Sequence, residues 1–183
     1  VMWFNGYDWF DPITPGEEQA MSAYLDGGGR LFYTSQAALY YTGIDDFSQR
    51  YLGVAGVLND DTISRTVGEP GNPVGLRAFS EGSLTPWPAG YNWNLSSALV
   101  PMSATHVIAR GQSGQPAALA REGRSGSGAA PWRTVFMPYP FEAYTSTVRF
   151  ILLDQIAGWL SPLGETSLLG DREVVGPGDE TPM

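Results

Sequence analysis

Hydroxyl, amide and carboxylate side chains directly follow the first two strands that the sequence predicts. The apolar run at residues 1–4 predicts a buried strand, and the loop behind it carries Tyr7 and Asp8. A second apolar strand at residues 31–33 is followed by Ser35 and Gln36. A helix between the two strands makes them parallel neighbours, and ligands collect beyond the carboxyl ends of parallel strands. We therefore expect the two loops to meet at one edge of the sheet, which we call the carboxyl-end rim.

Ser35 is a candidate nucleophile, but a serine needs a base that can take its proton. The chain holds one imidazole, that of His106, which precedes the apolar run at residues 107–109. This position predicts the start of a strand, away from the carboxyl-end rim if the strand is parallel. The Gly-x-Ser-x-Gly turn is absent, because the segment around Ser35 is YTSQA. These observations favour Ser35 as the cap of the following helix and His106 as a surface or edge-strand residue.

Composition and spacing do not indicate a metal or a cofactor. The chain has no Cys and one His, which excludes Cys-ligated metals and a His-rich site within it. The pairs at residues 45–46 and 60–61 are both Asp-Asp and offer oxygen ligands to Ca²⁺, but neither has the spacing of a calcium loop. We expect a helix cap at the first pair and a solvated turn at the second. The glycines at 27–29 and 123–128 lack the order of a phosphate loop, so they predict a helix end and a hairpin tip.

Aromatic side chains are concentrated in loops that we expect near the same rim. Rings beside Asp and Asn can bind a sugar or a peptide, or can pack against a neighbouring domain. The alternative is that these rings cover the core beneath a long insertion. The aromatic residues concerned are Tyr7, Trp9, Phe10, Trp87, Tyr91, Trp93, Tyr139 and Phe141.

Capping residues and apolar spacing predict the elements that position this rim. Thr14, Pro15 and Glu17 predict a helix that opens with a capping box, and Gly27 predicts its end. The clearest apolar stripe of the chain begins after Thr145 and predicts the last helix.

Between these helices the pattern is less regular. Residues 54–114 are dense in Gly, Pro, Asn and Ser, and they predict an irregular insertion near the rim. The strand that begins at residue 133 and the apolar segment at 117–121 predict a late antiparallel hairpin.

Length and charge limit the possible classes of function. The 183 residues predict one α/β domain at 1–163, and the polar composition of 164–183 predicts a linker or the start of a following domain. The segment VGPGDE at 175–180 resembles the opening of bacterial cell-surface β-sandwich repeats, which implies that such a domain would be a β-sandwich. The net charge of −9 argues against a nucleic-acid partner. No run approaches the roughly 18 apolar residues that a membrane span needs. Because the sequence opens inside a predicted strand, we expect it to be a piece of a longer protein.

Several segments together resemble the class I glutamine amidotransferase-like superfamily. They are a strand that ends in Asn-Gly, the segment YLDGGG at 24–29, the strand at 30–35 and the segment VFMPYPFE at 135–142. The resemblance covers most of residues 1–163. Within the superfamily, the chain is similar to members embedded in large bacterial secreted or surface proteins. It implies a three-layer, flavodoxin-like α/β fold with a mostly parallel central sheet. It also implies that a first strand–helix unit precedes Val1 or is supplied by another segment.

The resemblance also implies where a catalytic site would lie. The superfamily's nucleophilic Cys maps near Ser35, and its late His and acid map near residues 139–142. Glu142 then occupies the place of the acid, but no imidazole precedes it. An acid that orients a base has no use without the base. The residues Ser35, His106 and Glu142 are therefore weak catalytic candidates, and the sequence favours a protein without this chemistry.

We accordingly predict a non-catalytic binding or scaffolding module of a larger extracellular or cell-surface protein. The expected partners are neighbouring domains of the same polypeptide, and a glycan or a peptide. One alternative is a hydrolase that uses Ser35 or a rim carboxylate, Asp8 or Glu142. A further alternative is a rim that serves as a structural interface between domains. The expected contact residues are Tyr7, Asp8, Trp9, Ser35, Gln36, Tyr139 and Glu142.

Overall fold

The computed structural model describes residues 1–8, 10, 12–58, 62–75, 82–83, 94–126 and 130–161. The strands are β1 (Met2–Phe4), β2 (Arg30–Thr34), β3 (Val54–Leu58), β4 (Arg65–Gly68), β5 (Gly82–Ser83), β6 (Ala98–Pro101), β7 (His106–Gly111), β8 (Pro116–Gly123) and β9 (Trp132–Met137). The helices are α1 (Pro15–Asp26), α2 (Ala38–Thr42) and α3 (Ser146–Leu160), with a π-helical segment at Ser48–Leu52 and a 3-10 turn at Phe141–Ala143.

The main sheet has seven strands in the order β1-β2-β9-β8-β7-β4-β5, and β3 and β6 form a separate antiparallel pair. Only the pairings of β1 with β2 and of β2 with β9 are parallel, and the other four pairings of this sheet are antiparallel. The prediction of a mostly parallel, three-layer flavodoxin-like fold is therefore wrong; the fold is mixed α/β with a mostly antiparallel sheet. Within the described residues, β7, β8 and β9 are consecutive along the chain and pair as antiparallel neighbours, as strands joined by short connections do.

The segment expected to be an irregular insertion supplies part of this sheet. Residues 54–114 contain β3, β4, β5, β6 and β7, of which β4, β5 and β7 extend the main sheet. The expected late hairpin is present, since β8 and β9 pair antiparallel from Leu119↔Phe136 to Gly123↔Trp132. The boundary at residue 163 and the tail at 164–183 lie outside the described residues.

The first strand–helix–strand unit forms as the sequence predicts, but the expectation that its first strand is buried is wrong. β1 ends the strand order of the described residues, and its Met2 and Phe4 side chains are exposed because no further described strand covers them. β1 and β2 pair in parallel, with Met2 opposite Phe32 and Phe4 opposite Thr34. The helix between them opens with the expected capping box, because Thr14 accepts from the backbone of Glu17 while the Glu17 side chain returns to Thr14. Gly27 follows as its C-cap.

The core lies on both faces of the sheet because successive strand residues point to opposite sides. Phe32 and Val135 pack on one face with the apolar side of α3. Leu31, Tyr33 and Phe136 pack on the other face, with α1 and the π-helical segment. The carboxyl ends of β1, β2 and β9 consequently open toward the same edge, with helices on both sides.

Candidate functional site

The loops that follow β1, β2 and β9 meet at the carboxyl-end rim, as the sequence predicts. Gln36 Nε2 donates a hydrogen bond to the carbonyl of Tyr7 at 2.9 Å, which joins the first two loops. The amide of Asn5 bonds the Thr34 carbonyl at 3.2 Å, and the amide of Ser35 bonds the Met137 carbonyl at 3.2 Å. These contacts extend the parallel pairing of the three strands beyond their ends and fix the loops against one another.

Thr34 holds the third loop in place from the end of β2. Its buried Oγ1 donates to the carbonyl of Tyr139 at 2.5 Å and accepts from the amide of Phe141 at 3.1 Å. The sequence analysis did not single out Thr34. The sequence did contain a signal for this role, which was a hydroxyl residue at the end of an apolar strand. A polar group buried there must find hydrogen-bond partners.

Ser35 does not reach the surface of the rim. Only 1% of its area is exposed, and its Oγ makes no hydrogen bond with a described residue. Its side chain points to the face opposite Thr34, on the side of the Tyr33 phenol. Burial raises the pKa of Tyr33, and the neighbouring Ser35 hydroxyl opposes that shift. The expected capping role is also not observed, because α2 begins after Ala37 without a side-chain cap.

His106 lies three strands away from Ser35 across the sheet. It is exposed at the start of β7, with its ring 6.4 Å from that of Trp159 near the end of α3. The strand register aligns His106 with Ala120, Val135 and Phe32 in successive strands. Three strand spacings, about 14 Å, therefore separate His106 from β2, and Ser35 lies a further three residues along the chain. The arrangement Ser35–His106–Glu142 is not a catalytic triad in this structure.

The two rim carboxylates have different surroundings. Asp8 is exposed, and its Oδ1 accepts from the amide of Phe10 at 3.1 Å, so it stabilises a turn. Glu142 is half-buried, and its Oε2 has no partner among the described residues. It lies against Gly6, where an added Cβ would approach Glu142 Oε1 to 3.3 Å. Glu142 is thus the rim carboxylate with free acceptor capacity.

Tyr139 and Gln36 are buried and act as structural residues in this conformation. The Tyr139 hydroxyl accepts from Tyr144 at 3.0 Å, and Tyr144 in turn bonds Thr66 Oγ1 at 2.5 Å. Burial raises the pKa of Tyr139, so the phenol is a neutral member of this network. Tyr7 is partly buried against the core on the α3 side. Trp9, another expected contact residue, lies outside the described part of the chain.

Replacement of Ser35 by alanine separates a buried structural hydroxyl from a nucleophile. We expect Ser35→Ala to change the free energy of unfolding by less than about 1 kcal/mol, because the Ser35 hydroxyl has no hydrogen-bond partner among the described residues. The measurement is urea denaturation of both proteins. Turnover of any ester, amide or glycoside by the parent chain that is abolished in Ser35→Ala would contradict the structural role.

Three exposed rings form an aromatic surface at the same edge, composed of Phe10, Tyr40 and Tyr41. Phe10 and Tyr40 expose 63% and 74% of their area. The Tyr41 ring lies 6.3 Å from the Phe10 ring and 5.4 Å from the Tyr40 ring, measured between centroids. The sequence analysis included Phe10 but missed the tyrosines. The sequence did contain a signal for them, because two adjacent aromatic residues in a short helix cannot both face the core. At least one of Tyr40 and Tyr41 therefore had to lie at the surface.

A groove with both apolar and polar walls adjoins the aromatic surface. Its volume is about 430 Å³, and Tyr40 forms one wall. Asn94, Ser96 and Thr62 contribute amide and hydroxyl groups, although Asn94 and Ser96 also hold the backbone of Ile63. An exposed ring beside neutral polar groups can stack on an apolar ligand face and bond its hydroxyls.

The described residues contain no cluster of three or more His, Asp or Glu side chains that could hold a metal ion. In the same residues, no helix has the length and apolar character needed to span a membrane. Asp45 instead caps the π-helical segment, since its Oδ1 accepts from the amide of Ser48 at 2.8 Å. The pair expected at residues 60–61 lies outside the described residues.

Glu18 and Asp45 form the one carboxyl pair for which we predict a pH effect. Burial and then the neighbouring Asp45 raise the pKa of Glu18 to about 7. A raised pKa stabilises the folded state at low pH, and this stabilisation is lost as the pH rises through about 7. Glu18→Gln should therefore be more stable than the parent protein at pH 8, by about 1 kcal/mol after solvent screening, and equally stable at pH 4.

Glu17, the residue before Glu18 in α1, provides the matched control. Its hydrogen bonds to Thr14 lower its pKa, so Glu17→Gln should be less stable than the parent at pH 8, with a smaller loss at pH 4. Thermal unfolding of the three proteins at both pH values measures the effect. A loss of stability at pH 8 in both variants would contradict the raised pKa of Glu18.

Comparisons with known proteins identify a shared fold but no function. No protein-family model and no curated protein matches the chain. The mmIFT52 N-terminal domain matches with a TM-score of 0.55 and 15% identity, over 85% of this chain and 75% of that domain. The cold-adapted β-galactosidase from Rahnella sp. R3 matches with a TM-score of 0.46 and 16% identity, over 81% of this chain and 22% of the enzyme. The exo-β-1,4-mannosidase Op5Man5 from Opitutaceae bacterium strain TAV5 matches with a TM-score of 0.40 and 15% identity, over 79% of this chain and 22% of the enzyme.

None of these three structures is described as amidotransferase-like, so that resemblance stays a prediction. At this identity a structural match carries the fold and not the activity. The chain has the mixed α/β fold of the mmIFT52 N-terminal domain.

Proposed function

We propose that the chain is a non-catalytic binding module of a larger secreted or cell-surface protein, and that it binds a neutral carbohydrate on the aromatic surface. The single observation that carries the proposal is the exposed ring of Tyr40 at the wall of the adjoining groove, which also presents amide and hydroxyl groups. Sugar rings present one apolar face and a periphery of hydroxyls. A flat ring beside amide and hydroxyl groups matches both features.

The absence of an assembled triad supports a binding role over hydrolysis. Ser35 is buried, and His106 lies three strands away from β2. Glu142 belongs to the loop held by Thr34 on the opposite face. A serine hydrolase needs its nucleophile and base within hydrogen-bond reach. The distances in the described residues do not meet that requirement.

Charge favours a neutral ligand over an anionic one. The chain carries 19 acidic and 10 basic residues, for a net charge of −9. Long-range repulsion disfavours sulfated, sialylated or phosphorylated ligands. The groove walls supply neutral groups, among them Thr62, Asn94 and Ser97.

The test is a binding measurement with neutral oligosaccharides of glucose, galactose and mannose, by glycan array and then by calorimetry. We expect binding without turnover. Tyr40→Ala should weaken binding by about fivefold or more, since one stacked ring contributes on the order of 1 kcal/mol or more.

Phe150→Ala is the matched control, because Phe150 is an exposed ring on α3, outside the aromatic surface. This variant should bind as the parent does. Failure of every neutral oligosaccharide to bind would contradict the carbohydrate ligand. Equal affinity of Tyr40→Ala and the parent would place the ligand elsewhere.

A further inference from the structure

A groove lies between the carboxyl-end rim and α3, and we call it the α3 groove. Its volume is about 340 Å³, near the lower end of the roughly 300–1,000 Å³ that small-molecule sites have. Phe141 of this groove packs with the core on the α3 face of the sheet, whereas Leu39, in the groove beside Tyr40, packs with the core on the other face. The α3 groove is therefore separate from the surface proposed to bind a carbohydrate.

The walls of the α3 groove are mostly apolar. They are formed by Phe4, Phe141, Phe150 and Leu153. Phe141 is buried, and its ring lies 5.3 Å from that of Phe32 and 5.8 Å from that of Phe4, so the core holds this wall in place. Phe4 and Phe150 are exposed although both are large and apolar. Their exposed area is a surface that an apolar ligand group can cover.

Glu142 brings an acceptor without a partner to the same groove. It follows Phe141 in the 3-10 turn, and it lines the groove. Its Oε2 is buried and has no hydrogen-bond partner among the described residues. Burial of an acceptor that gains no donor is costly, and more so when the acceptor is charged. A ligand that supplies a donor there, above all a cationic donor, removes this penalty.

Arg149 brings the opposite charge from the α3 wall. It lies three residues after Ser146, on the side of the helix that faces the groove. The Arg149 guanidinium forms no ion pair and no hydrogen bond with the residues that the structure describes. It therefore does not neutralise Glu142, although both side chains line the groove. The groove thus presents one carboxylate and one guanidinium that are not paired with each other.

We propose that the α3 groove binds a free α-amino acid with a large apolar side chain. The ammonium group of such a ligand donates to Glu142, and its carboxylate accepts from Arg149 and from the Ser146 hydroxyl. Its side chain covers Phe4 and Phe150. The α-carbon carries all three groups, so a single small molecule reaches the two charges and the apolar wall together.

Charge and size favour this ligand over an ion or a polypeptide. A simple anion or cation would engage one of the two charges and leave the other without a partner, and the net charge of −9 repels an anion at long range. An internal segment of a polypeptide carries neither an ammonium nor a carboxylate on its backbone. A free amino acid carries both on one carbon atom, which suits a groove of about 340 Å³.

Calorimetric titration of the whole chain with L-phenylalanine tests the proposal without a substitution. Three analogues each lack one of the recognised groups: N-acetyl-L-phenylalanine has no ammonium, L-phenylalaninamide has no carboxylate, and glycine has no apolar side chain. We expect L-phenylalanine to bind. Each analogue that lacks a charge should bind at least about tenfold more weakly, because a charge-assisted hydrogen bond is lost. Glycine should also bind about tenfold or more weakly, because it leaves the apolar wall exposed.

Glu142→Gln is the corresponding substitution, because it removes the charge and keeps the shape of the side chain. It should weaken the binding of L-phenylalanine by at least about tenfold. It should leave the affinity for N-acetyl-L-phenylalanine unchanged, since that analogue has no ammonium to lose. Asp154→Asn is the matched control, because it removes one acidic charge from an exposed position of α3 outside the groove lining, and it should bind as the parent does. Thermal unfolding reports whether both variants are folded.

Three results would overturn the proposal. They are no binding of L-phenylalanine at millimolar concentration, equal affinity for L-phenylalanine and its N-acetyl derivative, and a folded Glu142→Gln that binds as the parent does. Weaker binding of L-phenylalanine to Tyr40→Ala would also contradict it, because that result would place the amino acid in the carbohydrate groove. Binding that is unchanged in Tyr40→Ala supports the proposal whether or not oligosaccharides bind, since Tyr40 does not line the α3 groove.

Discussion

Thr34→Val is expected to lower the free energy of unfolding by about 2–4 kcal/mol, although the two side chains have nearly the same shape. The hydroxyl of Thr34 is buried between two backbone groups of the third rim loop. It donates to the Tyr139 carbonyl and accepts from the Phe141 amide. Valine would deprive both groups of that partner, and each buried group without a partner costs about 1–3 kcal/mol. Urea denaturation of both proteins measures the difference.

Thr34→Ser is the matched control for this prediction. Serine keeps the hydroxyl and removes one methyl group, so we expect a loss of about 1 kcal/mol. The loop should also respond differently in the two variants, because only valine releases residues 139–141. If valine proves as stable as the parent, the two hydrogen bonds of Thr34 do not hold the loop, and the rim geometry must rest on the packing of Phe141.

Gly53→Ala is the second substitution for which we expect a large effect, a loss of about 2–4 kcal/mol. Gly53 ends the π-helical segment with φ +74°, where a Cβ is strained. An added Cβ would also lie 2.6 Å from Thr105 Cγ2 and 3.1 Å from Arg121 Cδ. These two side chains cannot move apart freely, because Arg121 Nη1 donates to Thr105 Oγ1 at 2.7 Å.

Gly71→Ala separates backbone strain from steric overlap. Gly71 has a similar φ of +72°, but an added Cβ there meets nothing within 4 Å. We therefore expect Gly71→Ala to cost about 1 kcal/mol, which is the strain alone. Thermal unfolding of both variants gives the comparison. Equal losses would mean that the neighbours of Gly53 relax around the new methyl group.

Local signals in the sequence predicted the first unit of the fold well. Thr14, Glu17 and Gly27 define the ends of α1 by capping chemistry that acts within a few residues, so neighbours along the chain suffice to predict it. The apolar runs at β1 and β2 likewise predicted two parallel strands. The hairpin of β8 and β9 followed from its glycine-rich tip.

Strand direction beyond this unit could not be predicted in the same way. A resemblance carried by residues near β1, β2 and β9 implied a mostly parallel sheet. Residues 54–114 were expected to stand apart from it because their apolar groups are short. Their strands instead extend the sheet antiparallel, and pairing partners far apart in sequence leave no local signal.

The sequence by itself determined that the loops after β1, β2 and β9 share one rim, and that a nucleophilic serine would have only one imidazole to rely on. Only the tertiary structure decided which rim residues are accessible. Ser35, Gln36 and Tyr139 are buried because the loops close over them, whereas Tyr40 and Phe10 stay exposed. The physical reason is that side-chain type predicts which chemistry is possible, while accessibility depends on long-range packing that brings elements together.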